Sequence, residues 1–157
     1  MRDQSGFSLV ELIITITIVA ILTLVTVPNL MSWVPKNRVK DAAQDLYSNI
    51  QMAKMEAIKR NRSCTVSFSG GPEQYFIGLI NKSVKMADYG SGVKIDKIQT
   101  APAPPASPVT VSLPETITFN SRGFGDKARD VFLTNETNSA TYQITILVSG
   151  LVSIKLF

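Results

Sequence analysis

The chain has no histidine and only one cysteine in 157 residues. Without histidine there is no His-based catalytic triad, and the usual Cys/His zinc sites are excluded as well. With Cys64 alone there is no intramolecular disulfide, so a domain exported from the cytoplasm would have to be stabilised by packing. No glycine-rich phosphate loop follows a strand-like run. Acidic clusters are sparse. Asp126 and Asp130 stand in a Gly/Lys/Arg-rich stretch and Asp88 and Asp96 are further apart, so neither pair has the ligand density of a calcium loop. These absences leave no catalytic constellation, and the chain reads as a non-enzyme without metal or cofactor.

Charge is also missing where it would ordinarily fall. Between Phe7 and Val34 the only ionisable side chain is Glu11. All of the 16 Lys and Arg except Arg2, and all of the 12 Asp and Glu except Asp3 and Glu11, lie beyond residue 35, and the net charge is +4. The densest basic groups are Lys36/Arg38/Lys40 and Lys59/Arg60/Arg62. They read first as a solvated surface, with anionic headgroups or nucleic acid as the alternative.

What is present begins with the apolar run. As a helix, Phe7–Val27 would span roughly 31 Å, the hydrocarbon thickness of a bilayer. It is too long for the core of a secretory signal peptide, and no small-x-small cleavage site follows it. A plain anchor fits the length but does not explain Glu11, since a carboxylate at mid-bilayer costs about 2.5–3.5 kcal/mol on insertion scales. Nor does it explain the orientation, because Lys36, Arg38 and Lys40 follow the span while Arg2 is offset by Asp3.

Beyond Pro28 and Pro35 the period becomes amphipathic. Val39, Ala43, Leu46, Ile50, Ala53 and Ala57 trace one apolar stripe, with Lys36, Lys40, Asp41, Gln44, Lys54 and Lys59 largely opposite. This predicts a helix over about 36–60, with the two prolines bending or locally breaking the rod before it. After Arg62 the period drops to two. Cys64 alternates with Val66 and Phe68 and so reads as a small buried apolar residue, not a reactive thiol. Further strands are expected at 74–81, 93–98, 109–113, 117–119, 131–134 and 142–148, with a hairpin at Ser149-Gly150 into 152–156. The expected fold is α+β, with six to eight antiparallel strands packed over one helix stripe. APAPPASP (101–108) cannot pair inside a sheet and is expected to be an exposed loop, a spacer before a proline ligand.

MRDQSG followed by FSLVE resembles the class III leader of type IV pilins and type II secretion pseudopilins. The resemblance implies cleavage between Gly6 and Phe7 by a prepilin peptidase, N-methylation of Phe7 by the same enzyme, and a helix-bending Pro28. It also gives Glu11 a role, pairing with the α-ammonium of a neighbouring subunit as that subunit docks into a filament. Pairing removes much of the cost of each lone charge, and it opposes a glutamate that simply snorkels to the headgroups. The implied organisation is a leader over 1–6, a transmembrane and assembly helix over 7–30, a spine helix over 31–60 and a β-rich head over 61–157. A long N-terminal helix, half membrane-spanning and half amphipathic, would pack on a predominantly antiparallel β head in the pilin lollipop. The implied location is the inner membrane, single-pass, with the head in the periplasm, and the implied partners are prepilin peptidase, other pilins or pseudopilins, and inner-membrane lipid.

Two head motifs narrow the resemblance. FNSRGFG (119–125) and the closing ITILVSGLVSIKLF (144–157) are similar to the GspH/FimT minor pilins and pseudopilins. Members of that group implicated in DNA uptake carry arginines after the last hairpin glycine, whereas here Gly150 is followed by LVSIK with one lysine. Affinity for phosphates rises with the number of cations engaged, so this tip argues against DNA. A weak patch of Arg122, Lys127 and Arg129 is the remaining nucleic-acid candidate. The expected function is a subunit of a type II secretion pseudopilus or type IV pilus near the tip. The alternatives are a DNA-uptake minor pilin or a membrane-tethered binding module that never polymerises.

Overall fold

The computed structural model describes residues 7–69, 71–100, 108–135 and 140–156, apart from the side chains of Val25, Pro28, Asn29 and Ser32. The expected leader with Gly6, and residues 101–107 of the proline-rich loop, lie outside these. The chain divides into two compact units, Met1–Val34 and Pro35–Phe157.

One helix, α1, runs from Leu9 to Lys59. Its first turn closes where the Leu12 amide reaches the Ser8 carbonyl at 3.2 Å. The amphipathic helix expected over 36–60 is the second half of this one long helix, and neither proline breaks it. A proline inside a helix lacks one amide donor, which here would have served the carbonyls of Leu24 and Met31. At the far end Asn61 turns left-handed at φ 48°. Its amide bonds the Ile58 carbonyl at 3.1 Å and the Arg62 amide bonds the Ala57 carbonyl at 3.0 Å. That paired closure satisfies the last free carbonyls and ends the helix.

In the second unit the helix stripe lies in the core as its spacing requires. Val39, Ala43, Leu46, Ile50, Ala53 and Ala57 are all fully buried, together with Ala42. They share one apolar cluster with side chains from two antiparallel sheets. The first sheet has the order β3-β2-β1-β6, with β1 Cys64–Phe68, β2 Gln74–Ile77, β3 Lys82–Lys85 and β6 Glu115–Phe119. The second has the order β5-β4-β7-β8-β9, with β4 Lys94–Thr100, β5 Thr110–Val111, β7 Arg129–Thr134, β8 Thr141–Ile146 and β9 Val152–Leu156. Cys64, Val66 and Phe68 point inward and pair with Phe119, Ile117 and Glu115 of β6. Burial raises the pKa of the Cys64 thiol, against the opposing hydrogen bond from the Leu79 backbone, and keeps it an inert apolar group.

Three strand expectations change. The described strands number nine, in two sheets, where six to eight were expected. The run expected over 74–81 is a hairpin: the Gly78 amide bonds the Thr65 carbonyl of β1 at 2.9 Å, and left-handed Asn81 sends the chain back as β3. The run from 109 to 119 divides at Leu113-Pro114 into β5 of one sheet and β6 of the other. Strand β4 also carries a bulge between Ile95 and Lys97, which lets Ile95 and Ile98 both face inward.

Candidate functional site

In the first unit, every described large apolar side chain from Phe7 to Trp33 is exposed, Phe7 at 82%. Four exposed threonines bond back into the helix. Thr15, Thr17, Thr23 and Thr26 donate to the carbonyls of Leu12, Ile13, Val19 and Leu22 at 2.7–2.8 Å. A segment apolar on all sides with its hydroxyls satisfied internally meets the requirement for burial in lipid or among other helices. Glu11 sits in the first turn of α1, exposed, and among the described residues no ion pair reaches it. Pro28 lies within α1. Among the described residues no helix is long and apolar enough to cross a membrane. The apolar run in the sequence passes through Val25, Pro28, Asn29 and Ser32, whose side chains are outside that description.

In the second unit a polar network ties helix to sheet. Asn49, 1% exposed, donates from Nδ2 to the Tyr75 hydroxyl at 2.6 Å and to Asp45 Oδ2 at 3.0 Å. Its Oδ1 accepts from Lys82 Nζ at 2.8 Å, and Tyr89 donates its hydroxyl to Asp45 Oδ2. Burial pushes both tyrosine hydroxyls well above the usual range, and donation to the Asp45 carboxylate adds to the effect at Tyr89. Period counting along α1 missed these residues because Asp45 and Asn49 flank the apolar stripe and their partners lie 26 to 44 residues away.

The two glycine motifs of the head meet in space. Asn120 accepts the amides of Arg122 and Phe124 on Oδ1 at 2.9 and 3.1 Å, folding 120–124 into a tight turn. Gly123, at φ 81°, sits where a Cβ would fall 2.8 Å from Ile58 Cδ1 of the helix. Gly150, at φ 76° in the last hairpin, lies so close that a Cβ would fall 2.0 Å from the Gly123 carbonyl oxygen. Lys54 Nζ donates to the Gly150 carbonyl at 2.8 Å, and the Gly125 amide donates to that of Val148 at 3.0 Å. Lys54, placed on the solvent side by its spacing, thus joins helix, turn and hairpin.

The cations proposed for nucleic acid are divided. Arg129 Nε and Lys127 Nζ both bind Glu115 Oε1, at 2.9 and 3.2 Å, and Glu115 is 8% exposed. Arg122 is exposed in the 120–124 turn. Two of the three cations therefore already neutralise a buried carboxylate, and their field at phosphate distance is reduced accordingly. Asp126 Oδ1 accepts the Thr118 amide and Asp130 Oδ1 accepts the Thr145 hydroxyl. Among the described residues no group of three or more Cys, Asp or Glu is placed to hold a metal ion.

Residues 42–150 match the family described as type II transport protein GspH, and residues 1–27 match the prokaryotic N-terminal methylation motif. Two crystal structures of the type IV minor pilin FimU of Pseudomonas aeruginosa PAO1 share the fold. In space group P21 the TM-score is 0.56 at 14% identity, over 76% of this chain and 89% of that one. In space group P65 it is 0.54 at 15% identity, over 74% and 91%. Among curated proteins none matches the chain in sequence.

Proposed function

The chain belongs to the GspH family of type II transport proteins, and from that premise we propose that it is a minor pilin or pseudopilin subunit whose work is mechanical. The observation that carries this reading is the combination in one chain of a methylation motif over 1–27 and a GspH head over 42–150. In this reading prepilin peptidase cuts after Gly6 and methylates Phe7. The 7–30 segment sits in the inner membrane, 31–60 serves as the spine, and the 61–157 head lies in the periplasm, with the loop at 101–108 as a spacer. The subunit then joins a type II secretion pseudopilus or a type IV pilus near its tip. The exposed apolar helix surface and the internally bonded threonines support this. So does Glu11, which is exposed with no ion pair among the described residues and which a neighbouring subunit's Phe7 amine would neutralise. Pro28 would let the stem bend as it packs. The engagement of Lys127 and Arg129 by Glu115 weighs against DNA uptake through that surface.

Mass spectrometry of the mature N-terminus tests the proposal. A chain beginning at N-methylated Phe7 is expected, with Gly6→Ala leaving an uncut precursor in the membrane. A fully working protein that still begins at Met1 would overturn it.

A further inference from the structure

Outside the stem, large apolar side chains remain exposed together at one end of the head. Met55 and Ile58 stand one helical turn apart, and Phe124, Val148 and Leu151 belong to the turn and hairpin packed beside them. The contacts that gather them are specific: Gly123 against Ile58, Gly150 against Gly123, and the Gly125 amide on the Val148 carbonyl. A monomeric surface scatters such side chains singly, and a contiguous group marks an interaction site. The rim is basic. Lys59, Arg60 and Arg62 follow Ile58, and Arg122 precedes Gly123. The neighbouring Glu56 is already bound by Lys59 and Arg60, while Arg62 and Arg122 make no ion pair among the described residues.

We propose that this end of the head is a docking surface for a filament subunit of a different sequence, one presenting an apolar patch edged by Asp or Glu. Charge selects the occupant. A two-fold contact between copies of this chain would set this rim against itself, and a head-to-tail contact would set it against a chain of net charge +4, so a second copy meets like charge either way. An acid-edged partner instead pairs the guanidinium groups of Arg62 and Arg122 while covering the apolar centre. The surface is also preformed. The close approach of Gly150 to Gly123 and the bond from Lys54 fix turn and hairpin on the helix, so docking orders little backbone. The proposal rests on the filament reading above, which brings a second kind of subunit beside the head.

The test uses the full-length chain, made with the other subunits of its own filament system and carrying photoreactive benzoyl-phenylalanine in place of Leu151. Illumination is expected to join it to a different subunit through a peptide containing Asp or Glu. Phe124→Asp or Arg122→Glu should lower the yield at least about tenfold, equivalent to ~1.4 kcal/mol. A Lys substituted for the partner's acidic residue should restore the yield with Arg122→Glu. Cross-linking to a second copy or to phospholipid, or a yield indifferent to both substitutions in variants that still unfold cooperatively, overturns the proposal. The same photoreactive group in place of Ile18 reports stem assembly separately. If that cross-link forms on chains beginning at Phe7 while the Leu151 one does not, the docking proposal fails alone. If the chains begin at Met1 and neither cross-link forms, the filament reading fails with it.

Discussion

Residues 9–27 and 39–57 belong to the same helix but are stabilised in opposite ways. Between 39 and 57 one stripe is apolar, its members are small or branched, and all of them are buried by the chain's own sheets. Between 9 and 27 fourteen of nineteen positions are apolar, spread around the whole helix, and every described large apolar side chain is exposed. A stripe can be covered by one partner layer, whereas a helix apolar all round needs a surrounding medium. The head therefore folds on internal contacts, and in the proposed filament the stem depends on contacts from outside the chain. Matched substitutions in the two halves should separate those dependences.

The largest effect is expected from Leu46→Ala. Leu46 is fully buried, and truncating such a leucine costs about 2–5 kcal/mol. Leu22→Ala, chemically identical in the stem, should leave head unfolding unchanged. Thermal or denaturant unfolding of the detergent-solubilised chain reads both, and equal effects would break the contrast. Next comes Gly150→Ala, where the new methyl meets the Gly123 carbonyl and the backbone sits at φ 76°. A loss of about 1–3 kcal/mol is expected. Gly71→Ala provides the control, because Gly71 has a similar φ of 78° but open space around it, so it should lose less.

A smaller effect follows from the tyrosines. The folded head holds the Tyr75 and Tyr89 hydroxyls protonated above the pH at which a free tyrosine ionises. Above about pH 10 the unfolded chain releases these protons and the folded one retains them, so stability is complete below that pH and falls as pH rises past it. Tyr75→Phe and Tyr89→Phe should each flatten that alkaline slope, as followed by denaturant midpoints at pH 8 and pH 11. Stem substitutions should leave the slope untouched.

The helix stripe was legible in the sequence because a 3.6-residue period reports which face is covered: all six positions expected to be buried are buried. The β1 alternation was legible for the same reason. Period is blind to what covers the face. Gly78 and Asn81 mark the turn between β2 and β3, but Ile77, Leu79 and Ile80 around them are all apolar, so the run reads as one strand. The move of the chain from β5 in one sheet to β6 in the other is set by distant strands. Lys54 and Glu115 were equally hidden. A lysine opposite the stripe reads as solvated until Gly150 arrives 96 residues later, and a glutamate in a strand reads as exposed until Arg129 and Lys127 enclose it.

The smallest effect on the head, and the sharpest contrast, is expected from Glu11→Ala. The residue is exposed and unpaired among the described residues, so its loss should not move the unfolding midpoint. In the proposed filament its carboxylate is matched to a neighbour's Phe7 amine, and removing it leaves that amine buried without a counter-charge, a costlier state than the intact pair. Membrane insertion and leader cleavage should proceed normally while the amount of subunit recovered in sheared filaments falls. A Glu11→Gln chain should behave like Glu11→Ala, because an amide keeps the shape and loses the charge. Normal filament incorporation of the amide variant would mean that packing of the apolar stem alone sets the register, and the comparison between the halves would then rest on hydrophobic cover without the ion pair.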